Sequence, residues 1–295
     1  MHELLLARLQ ADPTLHLARL RSDPDCSLLA AFRAGERAPR WMAKVAYQAS
    51  GRARLRRDHA ALRHLAPTAD MLRVPAVLAW HDADESTCLI ETGMPGWPVT
   101  TLPRPEHVHI AWAWLQSFQA STAAPDTALP REHPDPALAA PLLRHVAGLP
   151  ASDLSWVAVH GDFWWGNILW DGCCLAVIDW NGLHHGSPLD DLFTLVFRLP
   201  GERVAGADGR LRLLRQAFFD CTPIAFLVRR MALQAMGSAT AAGAEFYRFL
   251  LHRMRWEMGL EWQPRSQREC YKAREEWTLM VRWLVIQDFP NPFAL

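Results

Sequence analysis

The order of elements predicts an α+β chain built as two unequal lobes with a cleft between them. Three observations carry this. Up to Thr92 the pattern is mostly of strands, with one long helix. The run Gly93-Met94-Pro95-Gly96 then breaks the pattern, and from Pro105 onward apolar residues recur mainly at helical spacing. Strands followed by helices suit two separate layers of packing rather than one alternating sheet. The 295 residues are enough for one or two domains and an ample core.

Taken in order, residues 2–11 read as a short helix. Leu15–Leu20 and Ser27–Arg33 read as two strands joined by Arg21-Ser22-Asp23-Pro24-Asp25, a turn without glycine. Trp41–Tyr47 alternates as a strand does, with Trp41, Ala43, Val45 and Tyr47 on one face and Met42, Lys44 and Ala46 on the other. Arg52–Leu65 reads as a helix with Leu55, Asp58, Leu62 and Leu65 on one stripe. An acid in an apolar stripe needs a partner, and Arg54 and Arg57 are at hand. Val74–His81 and Thr87–Thr92 are two further strands around Asp82-Ala83-Asp84-Glu85. Pro105–Ser121 is helical, and Ala123–Pro141, rich in Pro and Ala, reads as a surface loop. Ser187-Pro188-Leu189-Asp190 is a capping box with Pro at the first helical position, so a helix starts there. Pro200–Gly209 is a loop. Leu211–Asp220, Ala225–Ala235, Ala244–Met258 and Arg268–Ile286 are helices, and no internal repeat is present.

Composition excludes several classes. The formal net charge is zero, which gives no attraction to nucleic acid or an anionic membrane. The start, MHELLLARLQADP, lacks the basic and apolar regions of a signal peptide, and no apolar run approaches a membrane span. A cytoplasmic protein is expected. The six cysteines show no C-x-x-C spacing, and Cys173-Cys174 fall within a predicted strand, so buried, reduced thiols are expected. The thirteen histidines show no H-E-x-x-H, which argues against zinc. Of 31 basic residues only Lys44 and Lys272 are lysine, so a lysine inside an apolar strand stands out.

The chemistry concentrates in His160–Leu192, HGDFWWGNILWDGCCLAVIDWNGLHHGSPLDDL. Asp162 and Asn167 stand in the frame D-x-x-x-x-N, with Asp179 and Asp191 behind them. Phosphoryl transfer needs a carboxylate to take the acceptor's proton and oxygen ligands to hold Mg²⁺ against the triphosphate. Asp171-Gly172 between two apolar runs predicts a two-residue hairpin. Trp170 then faces Cys173, Asn167 faces Ala176, and Asp179 lies three residues further along. At about 3.3 Å per residue that leaves roughly 10 Å between them, too far for one Mg²⁺, so regular pairing is expected to stop near Asn167.

HGDFWWGN followed by AVIDW resembles the aminoglycoside phosphotransferase and choline kinase group. The resemblance implies a bilobal protein-kinase-like fold, with an antiparallel sheet in a nucleotide-binding lobe over residues 1–93. The catalytic and substrate-binding lobe then covers residues 94–295. It implies that Asp162 is the catalytic base, that Asn167 and Asp179 hold metal, and that His160 and Asp191 support the loop. GSPLDDL is similar to the family's G-D-P-x-x-D-L, with Ser187 in place of the usual Asp. Lys44 resembles the strand lysine that contacts nucleotide phosphates, the alternative being a lysine that reaches solvent. Asp58 resembles the helix Glu that pairs with that lysine, one methylene shorter. A pair with a neighbouring Arg is the alternative. The glycine-free turn at residues 21–25 is a poor phosphate cover and is given no role.

The resemblance implies an enzyme that moves the γ-phosphate of ATP to a hydroxyl of a small molecule, with ATP and Mg²⁺ as its cofactors. Gly161 stands where a protein kinase has the Arg of His-Arg-Asp. Only eleven residues separate Asp179 from Asp191, too few for an activation segment, so a small-molecule acceptor is expected. Trp164 and Trp165 are either an aromatic wall for the acceptor or packing for the loop. The rival functions are a catalytically silent binding or scaffold module and nucleotidyl transfer on the same fold. Residues 97–295 hold 18 basic and 20 acidic side chains, so no strongly anionic site for a polycationic aminoglycoside is expected.

Overall fold

In the computed structural model, residues 12–22, 25–99, 104–123, 125, 135–150, 155–198, 208–258 and 267–294 are described. The helix expected over residues 2–11, the tip of the turn at 23–24 and most of the loop at 200–209 lie outside them.

Five antiparallel strands form the first layer: β1 (Leu15–Ser22), β2 (Ser27–Arg33), β3 (Trp41–Ala46), β4 (Val77–Asp82) and β5 (Thr87–Thr92), in the order β1-β2-β3-β5-β4. Helix α1 (Ala49–Leu65) crosses the sheet. The alternation expected in β3 holds within the strand: Trp41, Ala43 and Val45 are buried in a small core with Ala31, Cys88 and Ile90. Tyr47 falls beyond the strand and is exposed. Leu55, Asp58, Leu62 and Leu65 all lie on the buried side of α1.

Beyond Gly93 come β6 (Trp97–Pro98), α2 (Pro105–Ser121), α3 (Pro136–Ala147), β7 (Val157–Val159), β8 (Ile168–Trp170), β9 (Leu175–Val177) and β10 (His184–Gly186). Then follow α4 (Asp190–Phe197), α5 (Asp208–Leu214), α6 (Pro223–Met236), α7 (Ala239–Met258) and α8 (Gln267–Ile286). A π-helical turn over Arg215–Phe219 links α5 to α6. The main core gathers residues of α2, α4, α6, α7 and α8 around Phe118, Phe193, Phe197, Phe246 and Trp277. No described helix is long and apolar enough to cross a membrane.

Four local expectations need correction. The segment expected as a loop over 123–141 contains the start of α3, because Asp135 caps it by accepting from Leu138 N–H at 3.1 Å and Pro136 opens its first turn. The segment at 200–209 gives way to α5 at Asp208. Helix α4 starts at Asp190, later than the capping box suggests; only the arm from Ser187 N–H to Asp190 Oδ2 forms, at 3.2 Å.

The fourth correction bears on the site. Strand β8 pairs with β9 as Ile168↔Val177, Leu169↔Ala176 and Trp170↔Leu175. The connection is a four-residue loop, not a two-residue turn. Asp171 Oδ1 accepts from the N–H groups of Cys173 and Cys174 at 3.0 and 2.9 Å, which draws both cysteines out of the strand and into solvent. The register moves by two residues, so Asn167 faces Ile178 rather than Ala176, with Ile178 N–H on Asn167 O at 3.0 Å.

Candidate active site

That register brings Asp179 next to Asn167 along the ladder, and the break in pairing that a two-residue turn would require is unnecessary. Asp179 itself leaves the strand with φ 65°, a left-handed conformation that is costly for a non-glycine residue. The turn sends the next N–H, of Trp180, to Asp58 Oδ1 at 3.1 Å. The two halves of the chain meet at this hydrogen bond.

Asp58 does not pair with a neighbouring arginine. Its Oδ2 accepts from Lys44 Nζ at 2.6 Å, across from α1 to β3. Lys44 Nζ also meets Glu91 at 3.0 Å. Glu91 stands opposite Met42 in the β3–β5 ladder, so it is a diagonal neighbour of Lys44 on the same sheet face. Burial opposes the Lys44 charge, but Asp58, Glu91 and Asp179 together raise its pKa well above that of a free lysine. Burial pushes Glu91 up to about 7, with Lys44 pulling the other way.

Arg54, one turn before Asp58 on α1, reaches Asp179 Oδ2 at 2.8 Å. Asn181 Nδ2 donates to the other oxygen. Burial tends to raise the Asp179 pKa, yet Arg54 and Lys44 outweigh it and hold the carboxyl below its ordinary value. Two cations, Lys44 and Arg54, thus face three carboxyl groups, Asp58, Glu91 and Asp179.

The catalytic-loop candidates form a second cluster. Asp191 accepts from the N–H groups of His160 and Gly161 at 2.7 and 3.0 Å. It lies fully buried, and burial raises its pKa to about 6. His160 Nδ1 accepts from Asp162 N–H at 3.2 Å, so its proton sits on Nε2, which donates to Ile178 O at 3.1 Å. His160 therefore ties the loop to the end of β9. Gly161 has φ 83°, and a Cβ there would lie 2.4 Å from Gly182 O, so no other residue fits. Asn167 Nδ2 donates to Asp162 O at 2.9 Å and approaches Asp162 Oδ2 at 3.4 Å. With its amide nitrogen so engaged, the Asn167 oxygen is the atom left for a cation.

Two arginines that no motif in the sequence points to stand on Asp162. Arg198 Nη1 bonds Asp162 Oδ1 at 2.5 Å, and Arg253 Nη2 lies 3.6 Å from the same oxygen. Arg198 ends α4 and Arg253 lies on α7, 36 and 91 residues from Asp162, beyond the reach of any local spacing rule. Trp165 is buried in the core, whereas Trp164 carries the Arg198 guanidinium over its ring at 4.4 Å. One indole packs the loop and the other is a shelf for a cation.

Residues 95–227 match the model of the phosphotransferase enzyme family, APH. The resemblance to the aminoglycoside phosphotransferase and choline kinase group is borne out. The matched segment contains His160, Asp162, Asn167, Asp179, Asp191 and Arg198, and it marks the chain as a small-molecule phosphotransferase.

The fold is that of solved members of this group. The gentamicin-bound aminoglycoside phosphotransferase APH(2")-IIa superposes with a TM-score of 0.55 at 16% identity, covering 94% of this chain and 95% of that one. The enzyme APH(3'')-Id from Streptomyces rimosus, solved with ADP and streptomycin, gives 0.54 at 14% identity, over 86% and 98%. Amicoumacin kinase, solved with AMP-PNP, Ca²⁺ and Ami, gives 0.51 at 12% identity, over 96% of both. No curated protein sequence matches the chain.

Proposed function

We propose that the protein transfers the γ-phosphate of ATP to a hydroxyl group of a small molecule, in a Mg²⁺-dependent reaction. Residues 1–93 form the nucleotide side and residues 94–295 the acceptor side. The observation that carries the reading is the bond from Asn167 Nδ2 to Asp162 O, one ladder step from Asp179, whose neighbour Trp180 donates its N–H to the Asp58 that holds Lys44.

Asp162 is the base. Its Oδ1 is held by Arg198, and among the described residues its Oδ2 meets only Asn167 Nδ2, at 3.4 Å, so Oδ2 is the oxygen that takes the proton. The acceptor hydroxyl gives its proton to Oδ2 as its oxygen bonds to the γ-phosphorus. The bond to the β,γ-bridging oxygen breaks, and ADP leaves with that electron pair. No covalent enzyme intermediate is needed.

Lys44, held by Asp58 and Glu91, supplies a fixed positive charge for the nucleotide phosphates. Hard oxygen donors, one amide and one carboxylate kept ionised, suit Mg²⁺, so Asn167 and Asp179 fit as its ligands. Bound there, Mg²⁺ neutralises charge on the transferring phosphate. His160 and Asp191 keep the loop backbone in place.

One specific observation favours the catalytically silent alternative: arginines sit on both Asp162 and Asp179. Measuring ADP release with Mg-ATP and a panel of sugars, amino alcohols and hydroxy acids separates the two. Asp162→Asn is expected to lower turnover by about 10²–10⁴ while sparing nucleotide affinity. Near wild-type turnover in that variant removes Asp162 from its role. Product mass decides between phosphate and nucleotidyl transfer.

A further inference from the structure

The surroundings of Asp162 also bear on the acceptor, provided Asp162 is the base as read above. The Arg198 guanidinium lies over Trp164 at 4.4 Å and spends one nitrogen, Nη1, on Asp162. Among the described residues this is its only hydrogen bond, so Nε and Nη2 are left for a ligand. The side chain is 29% exposed, open enough to be reached. Arg253 backs it, nearly fully buried, with Nε on Glu257 at 3.0 Å.

The nearby carboxylates are already taken. Glu257 accepts from Arg210 on both oxygens at 2.6 Å, and also from Arg253 and the Trp277 indole N–H. Glu276 meets Arg210 and Lys272. Glu245 pairs with Arg248. Asp190, pushed by burial and by Asp191 up to about 8, is largely uncharged at neutral pH. His184 and His252 are lowered to about 4 by burial and add no positive charge of their own. An ammonium group approaching Asp162 therefore finds two guanidinium groups, while the one further carboxyl close to Asp162, Asp191, is fully buried and held by two backbone N–H groups.

We propose that the acceptor is a hydroxyl compound that also carries an anionic group, carboxylate or phosphate, and that Arg198, backed by Arg253, binds that group beside Asp162. A planar guanidinium with a free edge matches two oxygens of either anion, and the contact with Trp164 holds the plane ready. Nη1 stays on Asp162 Oδ1 while the free edge holds the anion, which leaves Oδ2 open to the acceptor hydroxyl. A polycationic acceptor meets repulsion instead.

The test compares acceptors of like skeleton that differ in charge: glycerate and glycerol 3-phosphate against glycerol, and gluconate and glucose 6-phosphate against glucose. Ethanolamine, choline and kanamycin supply the cationic arm. ADP release and binding calorimetry in the presence of AMP-PNP are both read. The expected result is a kcat/KM at least about tenfold higher for an anionic compound than for its neutral partner. Arg198→Met should erase that ratio mainly through KM, with partial rescue by Arg198→Lys. Whether the carboxylates or the phosphates lead tells which anion the fork accepts.

A preference for the neutral or cationic member of any pair, or a charge ratio unchanged in Arg198→Met, overturns the proposal. So does an absence of both turnover and binding for every anionic compound. Binding of an anionic compound that Arg198→Met abolishes, without phosphorylation of anything, upholds the anion site and removes the phosphotransfer reading instead.

Discussion

Arg54 Nη2 and Asp179 Oδ2 lie 2.8 Å apart, joining residues 125 positions distant in the chain. If Asp179 holds Mg²⁺ as proposed, the guanidinium occupies a side of the carboxylate that the metal would need, and the two cations would compete. Removing the arginine should make Asp179 easier for Mg²⁺ to reach. Arg54→Leu is expected to lower the Mg²⁺ concentration for half-maximal ADP release by about tenfold, the equivalent of about 1.4 kcal/mol. A higher Mg²⁺ requirement in the variant would show that Arg54 helps to bind the metal nucleotide.

Lys44 and Asp58 should behave as one unit. Lys44→Met is expected to weaken ATP use more than Asp58→Ala, because Asp58 acts through Lys44. In a double-mutant cycle on KM for ATP the two should be coupled by about 0.5–3 kcal/mol. Glu91→Gln should show a smaller coupling, since its contact is longer, 3.0 Å against 2.6 Å. Strict additivity of Lys44→Met and Asp58→Ala contradicts the pairing.

Gly161→Ala should be among the most destabilising single-methyl additions in the chain. The left-handed φ of 83° costs about 1–2 kcal/mol for a residue with Cβ. The 2.4 Å approach to Gly182 O adds an overpacking cost of about 1–3 kcal/mol. Urea denaturation should show a loss within the sum of these. A loss under about 0.5 kcal/mol means that the loop takes another path.

Asp190 sets a pH dependence whose sign is fixed by its raised pKa. Its ordinary value is 3.8 and its folded value about 8, so between those pH values the folded state holds a proton that the unfolded state has released. Stability from this group is fully present below about pH 4 and is lost as pH rises towards 8. Asp190→Asn keeps an acceptor oxygen for Ser187 N–H but cannot ionise. Relative to wild type it should therefore gain stability as pH rises from about 4 to 8, by at most about 1.4 kcal/mol per unit. His184 and His252, with lowered values, act in the opposite sense between about pH 4 and 6.5 in both proteins, so the difference isolates Asp190. Thermal denaturation of both across that range is the measurement, and parallel curves would contradict the assignment.

Much of the inward-facing pattern is legible in the amino-acid order. The stripe Leu55–Asp58–Leu62–Leu65 and the alternation at Trp41–Val45 report which side chains face inward, because burial selects one face at a fixed period. The charged partner that Asp58 requires follows from the cost of burying a lone carboxylate. The turn between β8 and β9 departs from the expected hairpin because Asp171-Gly172 satisfies a two-residue turn as well as a longer one. Asp171 Oδ1 makes the choice, since it binds two N–H groups and pulls the cysteines into the loop. That shift of register accounts for the whole difference in the placing of Asp179 relative to Asn167.

The sequence by itself determined the strand-then-helix order, the motif HGD-x-x-x-x-N with its second Asp, and the family resemblance that these carry. Each depends on residues close in the chain, where spacing and geometry are linked. Only the tertiary structure decided that Asp58 meets Lys44 while Arg54 meets Asp179, and that Arg198 and Arg253 stand on Asp162. These pairs join helices and strands far apart in sequence. Where 29 arginines are available, charge alone cannot say which one reaches which carboxylate; packing of the elements decides it.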